Sequence, residues 1–465
     1  MNTAPGRLAA AVLLASASVW CAPIASAVAP PTVDDSLLPA PRPPAPPQVT
    51  EQRQQCVVSA PVATTEGAAA ASQLDGLNLP QVWRLSRGAG QTVAVIDTGV
   101  ARHRLLPRLV PGGDYVYTGD GTDDCDGHGT IVAGIIGASE GSSDGAAFSG
   151  VAPEATIVGI RQSSVKFAPA GRSAPGFGNV DTLAMAVRTA ADMGATVINM
   201  STIACVDAAD GLDDRELGAA LAYAVDVKNV VVVAAAGNVG VLGQCPEQNP
   251  MTDAARRGRP DWDSVRVVAS PAWYDDYVLT VGSVDAHGAA SRFTLGGPWV
   301  DVAAPGEAVV SLDADGEGLV DSLPVLGESM PIVGTSYAAP VVSAIAALVR
   351  ARSPHLTARQ VMQRIKDTAH RPAAGWDPLV GNGVVDALAA VSGGSAVTET
   401  PIRTGTVDDG VRPAARPKDE DPSQDSGRRV AFGGAGVCVA VVTAAIAMTA
   451  SVGRLRRSDQ AVARD

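Results

Sequence analysis

The sequence has little charge: only 18 % of its 465 residues are Asp, Glu, Lys or Arg, whereas 46 % are apolar. That balance excludes a mostly disordered chain, because enough apolar surface is available to build a core. No basic block occurs, and Asp plus Glu outnumber Lys plus Arg by 48 to 35, for a net charge of −13. Nucleic acid is therefore not expected as a partner. The 6 cysteines include no Cys-x-x-Cys pair, which removes the usual signature of a structural zinc site. No internal repeat is visible, so a solenoid is excluded. The length suffices for one large domain or two ordinary ones.

Long apolar runs stand at the two ends. Arg7, the run Leu8–Val19 and the small residues Ala25-Ser26-Ala27 have the order of a secretory signal peptide, giving residues 1–27. Near the other end, 430–452 carries no charge. As a helix rising 1.5 Å per residue it would cross a hydrocarbon core of roughly 30 Å. Arg428-Arg429 precede it, and Arg454, Arg456 and Arg457 follow. The arginine bias is slight, so orientation is read from the signal peptide: the body is exported, the helix 430–452 stops transfer, and 453–465 is a cytoplasmic tail. Export agrees with the cysteines. Cys56, Cys125, Cys205 and Cys245 lie outside both hydrophobic ends, and an even number outside the cytoplasm implies two disulfides among three possible pairings.

Between the ends, 28–72 opens with the proline-rich stretch 39–47 and reads as an extended segment with polyproline II character. Residues 393–429 are Gly, Ser, Thr, Pro and mixed charge, a flexible tether. From 73 to 392 short apolar runs alternate with alanine-rich amphipathic stretches. Residues 92–96, 156–160, 196–200, 230–235 and 277–281 read as buried strands. Residues 179–193, 214–227, 337–352 and 357–368 read as helices. That alternation predicts an α/β domain with a mostly parallel sheet, helices on both faces, and a site at the carboxyl ends of the strands.

Four polar residues stand where such a site would form. Asp97 ends the apolar run 93–96, and His128 sits in Asp126-Gly127-His128-Gly129-Thr130. Asn238 follows the run 232–236, and Ser336 opens a helix in Gly334-Thr335-Ser336. A serine hydroxyl is a weak nucleophile until a base takes its proton, and that base needs a third group to orient it. Asp97-Thr98-Gly99 also has the form of an aspartic protease triplet. Its nearest possible counterpart, Asp425-Ser426-Gly427, lies in the charged tether, which excludes that chemistry. Ala338 stands where a Gly-x-Ser-x-Gly elbow requires its second glycine. The acidic run Asp120, Thr122, Asp124, Asp126 has the early spacing of a calcium loop. Ile131 occupies the position of its final Glu, so the run reads as a solvated loop. No metal and no cofactor are expected.

The order Asp…His…Ser is that of subtilisin, and 73–392 resembles the subtilases along nearly its whole length. Gly150-Val151-Ala152-Pro153, Val197-Ile198-Asn199-Met200-Ser201, residues 300–306 and Gly381-Asn382-Gly383 carry the resemblance further. It implies a subtilisin-like fold in which Asp97 orients His128, His128 is general base and then acid, Ser336 is the nucleophile and Asn238 lines the oxyanion hole. Signal peptide, proline-rich extension, protease domain, tether and terminal helix together resemble the mycosins, membrane-anchored proteases of type VII secretion systems. That resemblance implies a single-pass cell-membrane protein with its catalytic domain outside the cytoplasm. It would act on secreted proteins or peptides and associate with the secretion complex, whether as an endopeptidase or mainly as a structural subunit.

Two departures bear on function. Residues 28–72 are short for an inhibitory prodomain. Ser201-Thr202-Ile203 stands where many subtilases carry Ser-Leu-Gly. Substrate backbone would pair with 201–203, opposite a wall from 234–237 that includes Ala235 and Gly237, and Ile203 would fill the room a glycine leaves. The two strands bearing Ser201 and Asn238 should leave the sheet at one edge. That pairs Cys205 with Cys245 and leaves Cys56 for Cys125, the pairing to which the resemblance also points.

Overall fold

The computed structural model describes residues 28–59, 72–143, 146–172, 176–240, 244–251, 258–325 and 328–393. The proposed signal peptide, nearly all of the tether, the apolar segment 430–452 and the tail lie outside these residues. Among the described residues no helix is long and apolar enough to cross a membrane.

We label the strands that matter here β1 (Thr50–Gln52), β2 (Thr92–Asp97), β3 (Leu109–Asp114), β4 (Thr156–Arg161), β5 (Phe167–Pro169), β6 (Val197–Met200), β7 (Ala204–Asp207), β8 (Val231–Ala235), β9 (Val267–Ser270), β10 (Leu279–Val284) and β11 (Val300–Pro305). Seven of them form one sheet in the order β11-β10-β8-β6-β2-β4-β3. Every pairing in it is parallel. The inner strands are short runs of Val, Ile and Ala buried on both faces, as helices covering a parallel sheet require. Each expected strand is present, with one end or both moved by one to three residues. The edge strand β3 has no continuous apolar run and was not legible in the sequence.

The principal helices are α1 (His128–Gly137), α2 (Val180–Asp192), α3 (Arg215–Ala222), α4 (Thr335–Arg352) and α5 (Ala358–Thr368). Asn179 caps α2 and Thr357 caps α5 through reciprocal bonds with Thr182 and Gln360, which sets their starts. Helix α3 is shorter than expected and passes into a single π turn over Tyr223–Val227. Helix α4 is buried from Thr335 to Val349. Its Ala-rich, all-round apolar surface suits a helix packed against both the sheet and α1.

The extension runs over this framework without forming a domain. Arg188 Nη1 donates to the Pro39 carbonyl at 3.2 Å. Strand β1 pairs antiparallel with β5, and Thr50 Oγ1 donates to the Val116 carbonyl. Cys56 is bonded to Cys125, and Cys205 to Cys245. Beneath β1 a buried pair, Asp114 with Arg161, holds the end of β3 to β4, and the guanidinium lies over the Phe167 ring.

Candidate active site

Strands β2, β6 and β8 are neighbours, and their register sets Ile96 and Ala234 level with Met200. The next residue along each strand is Asp97, Ser201 or Ala235, so these three leave the sheet side by side. This is the strand-end crevice in which parallel sheets place their sites.

Asp97 is fully buried, and its Oδ1 accepts from the Thr98 N–H at 2.8 Å and faces His128 Nδ1 at 2.7 Å. The pair fixes which imidazole nitrogen carries the proton: Nδ1–H donates to the carboxylate, leaving Nε2 free to act as a base. His128 is the first residue of α1. That helix start is tied to the exit from β2, where Gly129 N–H donates to Thr98 Oγ1 at 3.0 Å. A Cβ on Gly129 would run into the Gly99 carbonyl, so only glycine permits this approach. The His128 side chain is 24 % exposed. Burial pulls the imidazole toward its neutral form. The carboxylate of Asp97 outweighs it, aided by Asp124 and Asp126, and leaves the His128 pKa above its ordinary value. The Tyr337 ring packs against the imidazole, tilted by 44° to it, with centroids 5.1 Å apart.

Ser336 is the second residue of α4. Asn238 Oδ1 accepts from both the N–H and the hydroxyl of Thr335, each at 3.0 Å. Both bonds use Oδ1 and leave Nδ2 for another partner. A Cβ built on Gly334 would lie 3.0 Å from Ser336 Oγ and 3.6 Å from Asn238 Nδ2, so the hydroxyl and the amide donor border the same small space.

His128, Ser336, Asn238, Ser201, Thr202, Ile203 and Ala235 line one open cleft of about 600 Å³. Gly237 does not line it. It lies behind the wall at φ +109°, where a Cβ would come within 2.8 Å of Ile203 Cδ1 and 3.0 Å of Cys245 Sγ. Val57 of the extension lines the cleft too, held there by its N–H donating to the Cys125 carbonyl at 2.9 Å.

The acidic run is not the solvated loop its spacing suggested. Asp120 is exposed, but Thr122 and Asp126 are buried and Asp124 is partly so. Asp124 accepts from Thr98 Oγ1, the N–H groups of Asp126 and Gly127, and both the N–H and hydroxyl of Thr130. Asp126 accepts from Ser164 Oγ and the Val165 N–H. These carboxylates fasten the histidine loop to the strand end and to the opposite cleft wall. Nothing in an alternating acidic run distinguishes that role from a wet surface. Among the described residues no cluster of three or more His, Cys, Asp or Glu could hold a metal ion.

The chain belongs to the subtilase family, whose family model matches residues 88–383. Within that family it groups with the mycosins. Mycosin-4 of Mycobacterium tuberculosis is 58 % identical over 463 residues, 99 % of this chain and 98 % of that protein. The solved MycP3 protease from the type VII (ESX-3) secretion system is 45 % identical with a TM-score of 0.73, over 78 % of this chain and 99 % of that one. A chain of an intact ESX-5 inner membrane complex is 37 % identical with a TM-score of 0.71, over 91 % of this chain and 100 % of that one.

Proposed function

We propose that this protein is a serine endopeptidase held at the outer face of the cell membrane by the helix 430–452. It would process secreted proteins or peptides and associate with the membrane complex of a type VII secretion system. The observation that carries the catalytic reading is the 2.7 Å Asp97–His128 pair, whose imidazole lines the same cleft as Ser336 and Asn238. Ser336 Oγ attacks the scissile carbonyl while His128 Nε2 takes its proton. Asp97 holds the resulting imidazolium, and Asn238 Nδ2 donates to the developing oxyanion. His128 then protonates the departing amine. Water, deprotonated by the same Nε2, releases the acyl group and returns the serine hydroxyl. A donor in the position of Asn238 is worth about 10²–10³ in kcat.

Likeness to a chain of the ESX-5 inner membrane complex favours a second role, as a structural subunit of such a complex. The two roles are compatible and separable by one substitution. Ser336→Ala should stay folded, lose labelling by a fluorophosphonate probe, and alter the N- or C-termini found in the culture secretome. Unchanged labelling refutes the assignment of Ser336. Lost labelling with an unchanged secretome, when deletion of the protein does stop secretion, makes the structural role the principal one.

A further inference from the structure

We propose that the Ser201 hydroxyl is a positioning group for the nucleophile, supplying the hydrogen bond that Pro340 removes from α4. In an α-helix the carbonyl of residue i accepts from the N–H of residue i+4. The partner of the Ser336 carbonyl would thus be residue 340, a proline inside the helix with no N–H to give. Ser201 Oγ donates to this carbonyl at 2.8 Å, reaching it from the end of β6.

The direction of that bond is set by a chain of buried groups. Ser343 Oγ, one turn beyond Pro340 on α4, donates to Asn199 Oδ1 at 2.8 Å. Asn199 Nδ2 donates to Ser201 Oγ at 2.9 Å. The Ser201 proton is then left for the carbonyl, which can only accept. Asn199 and Ser343 are wholly buried, and Ser201 and Ser336 are 6 % and 8 % exposed, so solvent offers no ready replacement. Asn199 and Ser201 belong to the stretch Val197–Ser201, and the relay gives these two polar residues in an otherwise apolar strand a physical purpose.

This bond matters to catalysis, and not only to stability, because the carbonyl belongs to residue 336 itself. An unpaired buried carbonyl seeks a new donor, and the peptide that turns to find one carries Ser336 on one side and Tyr337 on the other. The first must keep its hydroxyl beside Asn238 Nδ2, and the second packs on His128. Shifts of a fraction of an ångström there lower the rate. The inference rests on the reading of Ser336 as nucleophile.

The test compares four full-length proteins: wild type, Ser201→Ala, Pro340→Ala and the double variant. Fluorophosphonate labelling of each is resolved into a limiting rate and a half-saturating concentration. Ser201→Ala should label about ten-fold more slowly with little change in half-saturation. Pro340→Ala restores an N–H at position 340 and should label like wild type. The double variant should match Pro340→Ala to within about two-fold, because the serine is no longer needed. A Ser201→Ala protein that labels at the wild-type rate overturns the proposal, and so does a double variant as slow as Ser201→Ala. If Ser201→Ala does not fold, Pro340→Ala and the double decide: equal rates support the proposal, and a slower or unfolded double overturns it. Wild-type protein that does not label at all overturns the nucleophile assignment and this inference with it, a result distinct from failed rescue.

Discussion

Ile203 packs against Gly237: a Cβ added to that glycine would lie 2.8 Å from Ile203 Cδ1. One residue lines the cleft and the other closes the wall behind it, so the branched side chain occupies the room between β6 and β8. Cys205–Cys245 ties together the two segments that follow. The pocket before the scissile bond should therefore accept Ala and reject Phe or Tyr, since overpacking by a few methylenes disfavours a bound state by about 1–3 kcal/mol. Ile203→Gly should extend cleavage to large P1 residues. Profiling both proteins on a peptide library checks this, and efficient wild-type cleavage after aromatics with little after Ala overturns it.

The acidic limb of the pH–rate profile should reflect His128. Catalysis needs its neutral form, and Asp97, Asp124 and Asp126 favour the charged one, so the limb should fall above the ordinary histidine value of about 6.5. Burial pushes the Asp124 carboxyl up, against the hydrogen bonds from Thr130 and Thr98 that favour its charged form. Asp124→Asn removes that charge and should move the limb down. Asp214→Asn, at a buried hub bonded to Ser270, Trp273 and Tyr274, should lower stability without moving it. A limb that moves equally in both variants would show the effect to be unspecific.

Cys56–Cys125 joins the extension to the loop that carries His128, closing a sequence separation of 69. Replacing both cysteines with serine should destabilise the protein by about 4 kcal/mol in the chain-entropy account, read from denaturant unfolding. Residues 28–59 run along the domain surface and form no compact inhibitor. Protein that retains Cys56 should therefore already react with a fluorophosphonate. Labelling that appears only after loss of 28–72 would show the segment to be an inhibitory prodomain.

Asp275 should make stability pH-dependent far from the cleft. Burial, then the nearby Asp301, pushes its carboxyl up to about 7, against the pull of Lys366. Lys366 is committed to Asp301, with Nζ 3.1 Å from Oδ1. A carboxyl raised on folding favours the protonated native state. Its contribution is whole below about pH 4, where the unfolded group is also protonated, and is lost as pH rises through 7. Asp275→Asn should raise Tm above pH 7 and leave it unchanged below pH 4. A Tm rise of equal size at both pH values contradicts the assignment.

Much of the fold was legible because its cause is local. Short Val- and Ile-rich runs alternating with Ala-rich periodic ones leave few arrangements other than a covered parallel sheet, and Asp97, His128, Asn238 and Ser336 each stood at the end or start of such a run. Tertiary structure decided what depends on which strands lie side by side. Only the order β8-β6-β2 sets Asp97, Ser201 and Ala235 level. Only docking of α4 on β6 lets a serine hydroxyl answer for the N–H that Pro340 lacks. The acidic loop shows the difference most plainly. Asp120 and Asp124 are the same residue type four positions apart, one exposed and the other gripped by five donors, because a carboxylate's surroundings are assembled from segments that meet only when the chain has folded.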